Sequence, residues 1–216
     1  MLEKMGLFFD RRLDGYEEHQ LNCIDSAREF YPYTAGCLPQ KEAASILDLG
    51  CGTGLELEAY FQSNPTAKVT GIDLAPGMLT ELKKKFSNRD INLILGSYFD
   101  VPLDSATYDA AVSVESLHHF TKEEKIPLYR KLHQTLKHSG YFILTDYFSG
   151  SEEEEAFYQA ELSRLKALQG ITGGEFYHYD TPLTVKHEME ALSAAGFSSM
   201  EILKHWGATH TIKAVK

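Results

Sequence analysis

At 216 residues the chain fits a single domain with a sizeable core, and 43% hydrophobic with 24% charged residues is the composition of a globular protein. The balance of 21 basic against 31 acidic residues leaves a formal net charge of −10. That disfavours a nucleic-acid partner gripped through its phosphates, because such proteins present a basic face. Three cysteines, Cys23, Cys37 and Cys51, form no metal-like pairs and suit a reducing, cytoplasmic setting.

In chain order, the opening Met1 to Phe9 lacks the long apolar core and cleavage site of a secretory leader, and no later stretch is long enough to span a membrane. After about forty residues strand-like and helix-like segments alternate, the pattern of a parallel sheet covered on both faces. Strands are expected near Ser45–Leu49, Lys68–Asp73, Ile91–Leu95, Tyr108–Val114 and Gly140–Asp146. Pro76 stands where a first-turn proline belongs, and Met78, Leu79, Leu82 and Phe86 follow at helical spacing. Thr121 with Glu124 spells a capping box. Pro127 removes a helical donor, so the main helix is expected to restart there and run to Lys137. Ser151 and the four glutamates after it open another helix, which Gly170 stops. That acidic run is fully explained as a helix start. The segment from Gly170 to Thr181 reads as a long loop, Thr181-Pro182 as the start of a last helix ending before Gly196, and Met200–His205 with Thr209–Val215 as two strands.

The most informative stretch is Ser45 to Gly54, an apolar strand running into a turn with glycine at alternate positions. Strand, glycine turn and helix bring backbone N–H groups and a helix N-terminus against a nucleotide-like ligand. The dinucleotide fingerprint requires a third glycine where Leu55 stands, and no Lys-Ser/Thr pair follows to make a phosphate loop. Asp73 ends the next strand roughly 20 residues on, placed to accept both hydroxyls of a ribose. A free ribose without a phosphate clamp describes S-adenosylmethionine better than NAD.

Four segments carry the resemblance: Ile46 to Gly54, Gly71 to Leu79, Tyr108 to His119, and Leu136 to Leu144. Their order and spacing over about Ser45 to Tyr147 resemble the class I S-adenosylmethionine-dependent methyltransferases. The resemblance implies an α/β fold with a Rossmann-like, seven-stranded, mostly parallel sheet, its last strand antiparallel and helices on both faces. It also implies a helical cap over residues 1–40 preceding a compact methyltransferase domain over 41–216. By the same resemblance Asp48, Gly50, Cys51, Gly52 and Gly54 form the turn around the methionine part of the cofactor. Asp73 binds the ribose, while Leu74 and Met78 pack on adenine. Many relatives carry an acidic residue directly after the glycine at position 96; here Ser97 stands there, so either Ser97 with the Tyr98 backbone or Asp100 serves the adenine.

Ser113, Glu115 and His118 follow the fourth strand, where the ligand crevice of an open α/β sheet forms. His118 is a candidate base or orienting group, since a neutral imidazole is available at pH 7; the alternative is that it only packs. Tyr16 either touches the methionine moiety or acceptor, or anchors the cap by burial. Tyr177, His178 and Tyr179 complete the acceptor pocket or pack within their loop. No histidine or cysteine pair has the local spacing of a metal site, so none is expected. The reading is a cytoplasmic methyltransferase, monomer or homodimer, acting on a small molecule with S-adenosylmethionine and releasing S-adenosylhomocysteine, with no nucleic acid or membrane partner. A carboxy-S-adenosylmethionine synthase-like enzyme, which the late helices resemble in outline, and a non-catalytic binding module are the alternatives. The former needs a cation for its extra carboxylate, and Arg164 is the sole arginine after Arg130.

Overall fold

The computed structural model describes residues 1–216. Seven strands form one sheet: β1 (Ser45–Leu49), β2 (Lys68–Asp73), β3 (Asp90–Leu95), β4 (Tyr108–Val114), β5 (Leu136–Tyr147), β6 (Ser199–Trp206) and β7 (Thr209–Val215), in the order β3-β2-β1-β4-β5-β7-β6. The first five run parallel, and β7 lies antiparallel between β5 and β6. Strands buried on both faces need apolar residues at nearly every position. Accordingly Ile46 packs into the core on one face while Leu47 packs into the core on the other.

Eight helices surround the sheet: α1 (Met5–Asp10), α2 (Tyr16–Cys23), α3 (Ala27–Gly36), α4 (Leu55–Ser63), α5 (Pro76–Lys85), α6 (Lys122–Thr135), α7 (Glu152–Leu168) and α8 (Val185–Ala195). One core joins β-residues to Leu128, Tyr129 and Leu132 of α6 and Leu192 of α8. The other takes Phe30 and Tyr31 of α3, Tyr60 and Phe61 of α4, and Leu79 and Leu82 of α5. Thus α3 belongs to the layer covering the sheet. A buried hydroxyl chain ties it there, with Thr34 Oγ1 2.6 Å from Thr145 Oγ1 and the latter 2.9 Å from Thr211 Oγ1.

Helix α1, by contrast, lies across the start of α5. Asp10 Oδ1 accepts the Gly77 N–H at 2.9 Å, supplying from another segment the cap that Ala75 has no side chain to give. An acceptor at a helix N-terminus meets an orphan donor and the positive end of the macrodipole.

Three boundaries differ from the sequence reading. Pro127 lies within a continuous α6; it stands on the exposed face, where a carbonyl without its helical donor costs less than one in the core. Helix α6 ends at Thr135, and β5 begins at once at Leu136, which pairs with Tyr108 before a register shift. The last helix starts at Val185, capped by Thr184 Oγ1 on the His187 N–H at 3.2 Å. Thr181 is held extended instead, its N–H donating to the His118 carbonyl at 2.8 Å. No helix is long and apolar enough to cross a membrane.

Candidate active site

The strand order reverses between β1 and β4, and in open α/β sheets the crevice at such a point binds ligands. Here the crevice is built by the turn after β1, by Asp73 at the end of β2 and by the segment after β4. Gly50, Gly52 and Gly54 all have positive φ, at 71°, 48° and 74°. At Gly50 the need for glycine is also spatial: a Cβ would stand 2.1 Å from Ser116 Oγ.

Asp73 is locked to this turn. Its Oδ2 accepts the Gly52 N–H at 2.9 Å and its Oδ1 the Ala75 N–H at 2.8 Å. Burial pushes its carboxyl upward, and these backbone donors oppose that shift. Leu74 and Met78 form an apolar wall beside it, and Tyr98 and Glu115 close the slot. Met5 and Phe9 of α1 cover the slot, with Tyr16 beside them. Tyr16, Glu115 and His119 are shared between the slot and a neighbouring cavity of about 640 Å³, lined also by Phe8, His19, His118, Tyr147, His178 and Asp180 among others. That volume lies within the ~300–1,000 Å³ of small-molecule sites.

The segment after β4 concentrates charge. Glu115 holds φ 49°, unusual for a side chain with a Cβ, and its N–H donates to the Thr145 carbonyl at 2.9 Å. Strain of this kind collects at functional sites. Burial, with nearby Asp146 adding to it, pushes its carboxyl up to about 8. His118 Nδ1 faces Asp146 Oδ1 at 2.6 Å, while Asp146 Oδ2 accepts the backbone N–H groups of Leu117 and His118. Burial alone would lower the imidazole, but Asp146 and Asp180 raise it to about 9. These carboxylates favour the protonated ring. His119 Nδ1 lies 3.2 Å from the Tyr179 carbonyl in hydrogen-bond geometry and 3.0 Å from Asp180 Oδ1, off line for a hydrogen bond. Burial, then the charge on His118, lowers the His119 imidazole.

Of the residues selected from sequence, Gly50, Gly52, Asp73, Leu74, Met78, Tyr98, Glu115 and Tyr16 meet around the slot, and His118 lines the adjoining cavity. Five stand elsewhere. Asp48 is buried beneath the turn beside Glu56, and burial followed by that second carboxyl raises it well above the ordinary range. Cys51 is buried with its Sγ against Gly71. Gly54 starts α4 and abuts Phe86. Ser113 is fully buried and spends its hydroxyl on the Leu49 carbonyl at 3.0 Å. Ser97 turns its hydroxyl onto the Phe99 N–H at 3.2 Å and lies with Asp100 on the outer side of α1. Sequence reasoning did not select Tyr147 or Asp180 as site residues; they come from β5 and the distant loop, which no spacing connects to His118.

The donor set suits an adenosyl ligand without phosphates. Asp73 presents a fixed carboxylate, an apolar wall stands beside it, and the glycines leave the turn's backbone open. A nucleoside-binding α/β domain is thus defined by sheet and crevice together. Residues 46–140 match the family model described as a methyltransferase domain. The chain is 31% identical over 135 residues to the biotin biosynthesis bifunctional protein BioHC of Teredinibacter turnerae, covering 58% of this chain and 23% of that protein. It is 30% identical over 161 residues to the 18S rRNA (guanine-N(7))-methyltransferase of Bos taurus, covering 69% and 54%. The chain therefore spans from about a quarter to about half the length of these curated relatives. Among solved structures, an S-adenosylmethionine-dependent methyltransferase from Mesorhizobium loti superposes with TM-score 0.62 at 18% identity, covering 86% of this chain and 96% of that one. Human N-acetylserotonin methyltransferase in complex with S-adenosylmethionine gives 0.63 at 21%, covering 88% and 52%; both show likeness of fold. The chain carries a class I S-adenosylmethionine-dependent methyltransferase domain.

Proposed function

We propose that the protein transfers a methyl group from S-adenosylmethionine to a small molecule held between α1, α2 and the loop after α7. The observation that carries this is the adjacency of two spaces: the Asp73 slot and the large cavity share Phe9, Tyr16, Glu115 and His119 as lining residues. Bound S-adenosylmethionine contributes a methyl group already activated by positive sulfur, so the protein's task is mainly alignment. Asp73 accepts the ribose hydroxyls, and Leu74 and Met78 pack on the adenine. Glu115 and Tyr98 flank the slot, while Tyr16 spans slot and cavity. His118 lines the cavity and helps to orient the acceptor there.

The cavity's volume and a formal charge of −10 favour a small acceptor over RNA. A carboxylated cofactor is disfavoured, because Arg164 sits on the exposed face of α7 paired with Glu161 at 2.6 Å. Arg11 and Arg12 at the cavity rim are both paired with Glu3. Transfer of labelled methyl to a panel of thiols, amines and phenols, with mass spectrometry of any ligand copurifying with the protein, tests the reading. Turnover of one acceptor class supports it; a copurifying carboxylated cofactor, or binding without turnover across the panel, overturns it.

A further inference from the structure

Three side chains outside the Asp73 slot's ribose and adenine contacts converge at the inner end of the large cavity. His118 and His119 come from the single 3-10 turn after β4, and Asp180 comes from the loop after α7. One ligand atom from each lies within 4.8 Å of the others. Asp180 Oδ1 is 3.0 Å from His119 Nδ1 and 3.6 Å from His118 Nε2. Metal–ligand bonds of about 2.0–2.2 Å place neighbouring ligand atoms about 3–3.5 Å apart; the His119–Asp180 separation matches this, and the His118–Asp180 separation is a tenth of an ångström longer.

Two further observations point to a cation. Asp180 Oδ1 is shielded from solvent, although the side chain as a whole is 44% exposed, and its polar neighbours are the two histidine nitrogens, neither in line to donate to it; shielded acceptors are nearly always satisfied. His118 is already oriented as a ligand: Asp146 holds Nδ1 at 2.6 Å and is itself fixed by two backbone N–H groups, so Nε2 is the nitrogen turned to the cluster. A carboxylate behind the far nitrogen is the usual support of a metal-binding histidine.

We propose that His118 Nε2, His119 Nδ1 and Asp180 Oδ1 bind a divalent first-row transition-metal ion at the floor of the cavity. Two imidazoles and one carboxylate suit zinc or iron(II) better than magnesium or calcium, which prefer all-oxygen sets. The ion replaces the proton on His118 Nε2 and the Tyr179 carbonyl opposite His119 Nδ1. Three protein ligands would leave coordination positions for an acceptor hydroxyl or thiol from the cavity that Tyr16 and Tyr147 also line. The site itself stands apart from the methyl-transfer reading; only that acceptor role rests on it.

The test is titration of chelator-treated protein with Co²⁺ alone, followed by visible absorption and calorimetry, for the wild type, Asp180→Asn and His119→Gln. One equivalent is expected to bind the wild type, with affinity at least tenfold weaker in each variant. Thermal unfolding of each sample reports folding, and S-adenosylhomocysteine binding to the wild type and Asp180→Asn reports the cofactor slot, which His119 itself lines. Absence of a one-equivalent site, or unchanged cobalt affinity in both folded variants, overturns the proposal. Cobalt binding without any S-adenosylhomocysteine binding leaves the metal site standing and overturns the methyl-transfer reading.

Discussion

Replacing Asp73 with alanine separates cofactor binding from support of the turn. In the folded chain both carboxylate oxygens already accept backbone donors, from Gly52 at 2.9 Å and Ala75 at 2.8 Å. The remaining lone pairs are those available to a ribose. Hydrogen bonds to a charged acceptor contribute about 1.5–3 kcal/mol each, so losing the ribose pair should cost at least about 1.4 kcal/mol, a tenfold loss of affinity. Stability should change less. Two backbone donors lose partners, but the removed carboxylate was itself disfavoured by burial, as its raised titration shows. Asp73→Asn keeps one carbonyl oxygen and should fall between wild type and alanine. Calorimetric titration with S-adenosylhomocysteine, beside urea denaturation, measures both quantities. A folded Asp73→Ala protein with affinity within about twofold of wild type would show that the ribose is held elsewhere.

Gly50→Ala meets Ser116 Oγ at 2.1 Å and requires φ 71° of a residue with a Cβ. The left-handed conformation alone costs about 1–2 kcal/mol, so the melting temperature should fall and S-adenosylhomocysteine binding should weaken; an unchanged melt would contradict the turn's geometry. The Lys125–Glu188 pair, 2.5 Å apart with both side chains buried, joins α6 to α8 with Tyr129 as a further donor. Lys125→Met strands the carboxylate and should cost about 3–5 kcal/mol in urea denaturation, whereas a loss below about 1 kcal/mol would mean that water reaches Glu188. Asp48 has its folded carboxyl raised by burial and by Glu56. Folding therefore favours the protonated form, a contribution full below the ordinary carboxyl range and lost as pH rises through the raised value. Asp48→Asn removes that loss, so its thermal advantage over wild type should grow as pH rises above the ordinary carboxyl range; parallel curves would refute it.

The local parts of the fold were legible because they are written in neighbouring residues. An apolar run before the Gly50 turn, Pro76 at the head of α5, and Thr121 with Glu124 each specify their element through contacts a few residues apart. The helix through Pro127 was not, since a proline's cost depends on whether its face is solvated, and only packing decides that. Within the site, Asp73 follows from strand order, but the direction of a side chain near a strand end does not. Ser113 and Glu115 stand two apart and should share a face by alternation. The positive φ at Glu115 breaks that pattern, leaving Ser113 on the Leu49 carbonyl and Glu115 at the cavity. Asp180 was invisible for a different reason: the pairing of its loop with the N-terminal segment, through the Met5 and His178 N–H groups, is what brings it to His118.

The adenosyl site is tested most directly by a crystal structure of the protein grown with S-adenosylhomocysteine. Density for the ribose at Asp73 Oδ1 and Oδ2, adenine against Leu74 and Met78, and sulfur directed toward Glu115 and the large cavity is the predicted result. A ligand bound elsewhere on the sheet, or one whose sulfur points away from that cavity, would contradict the account.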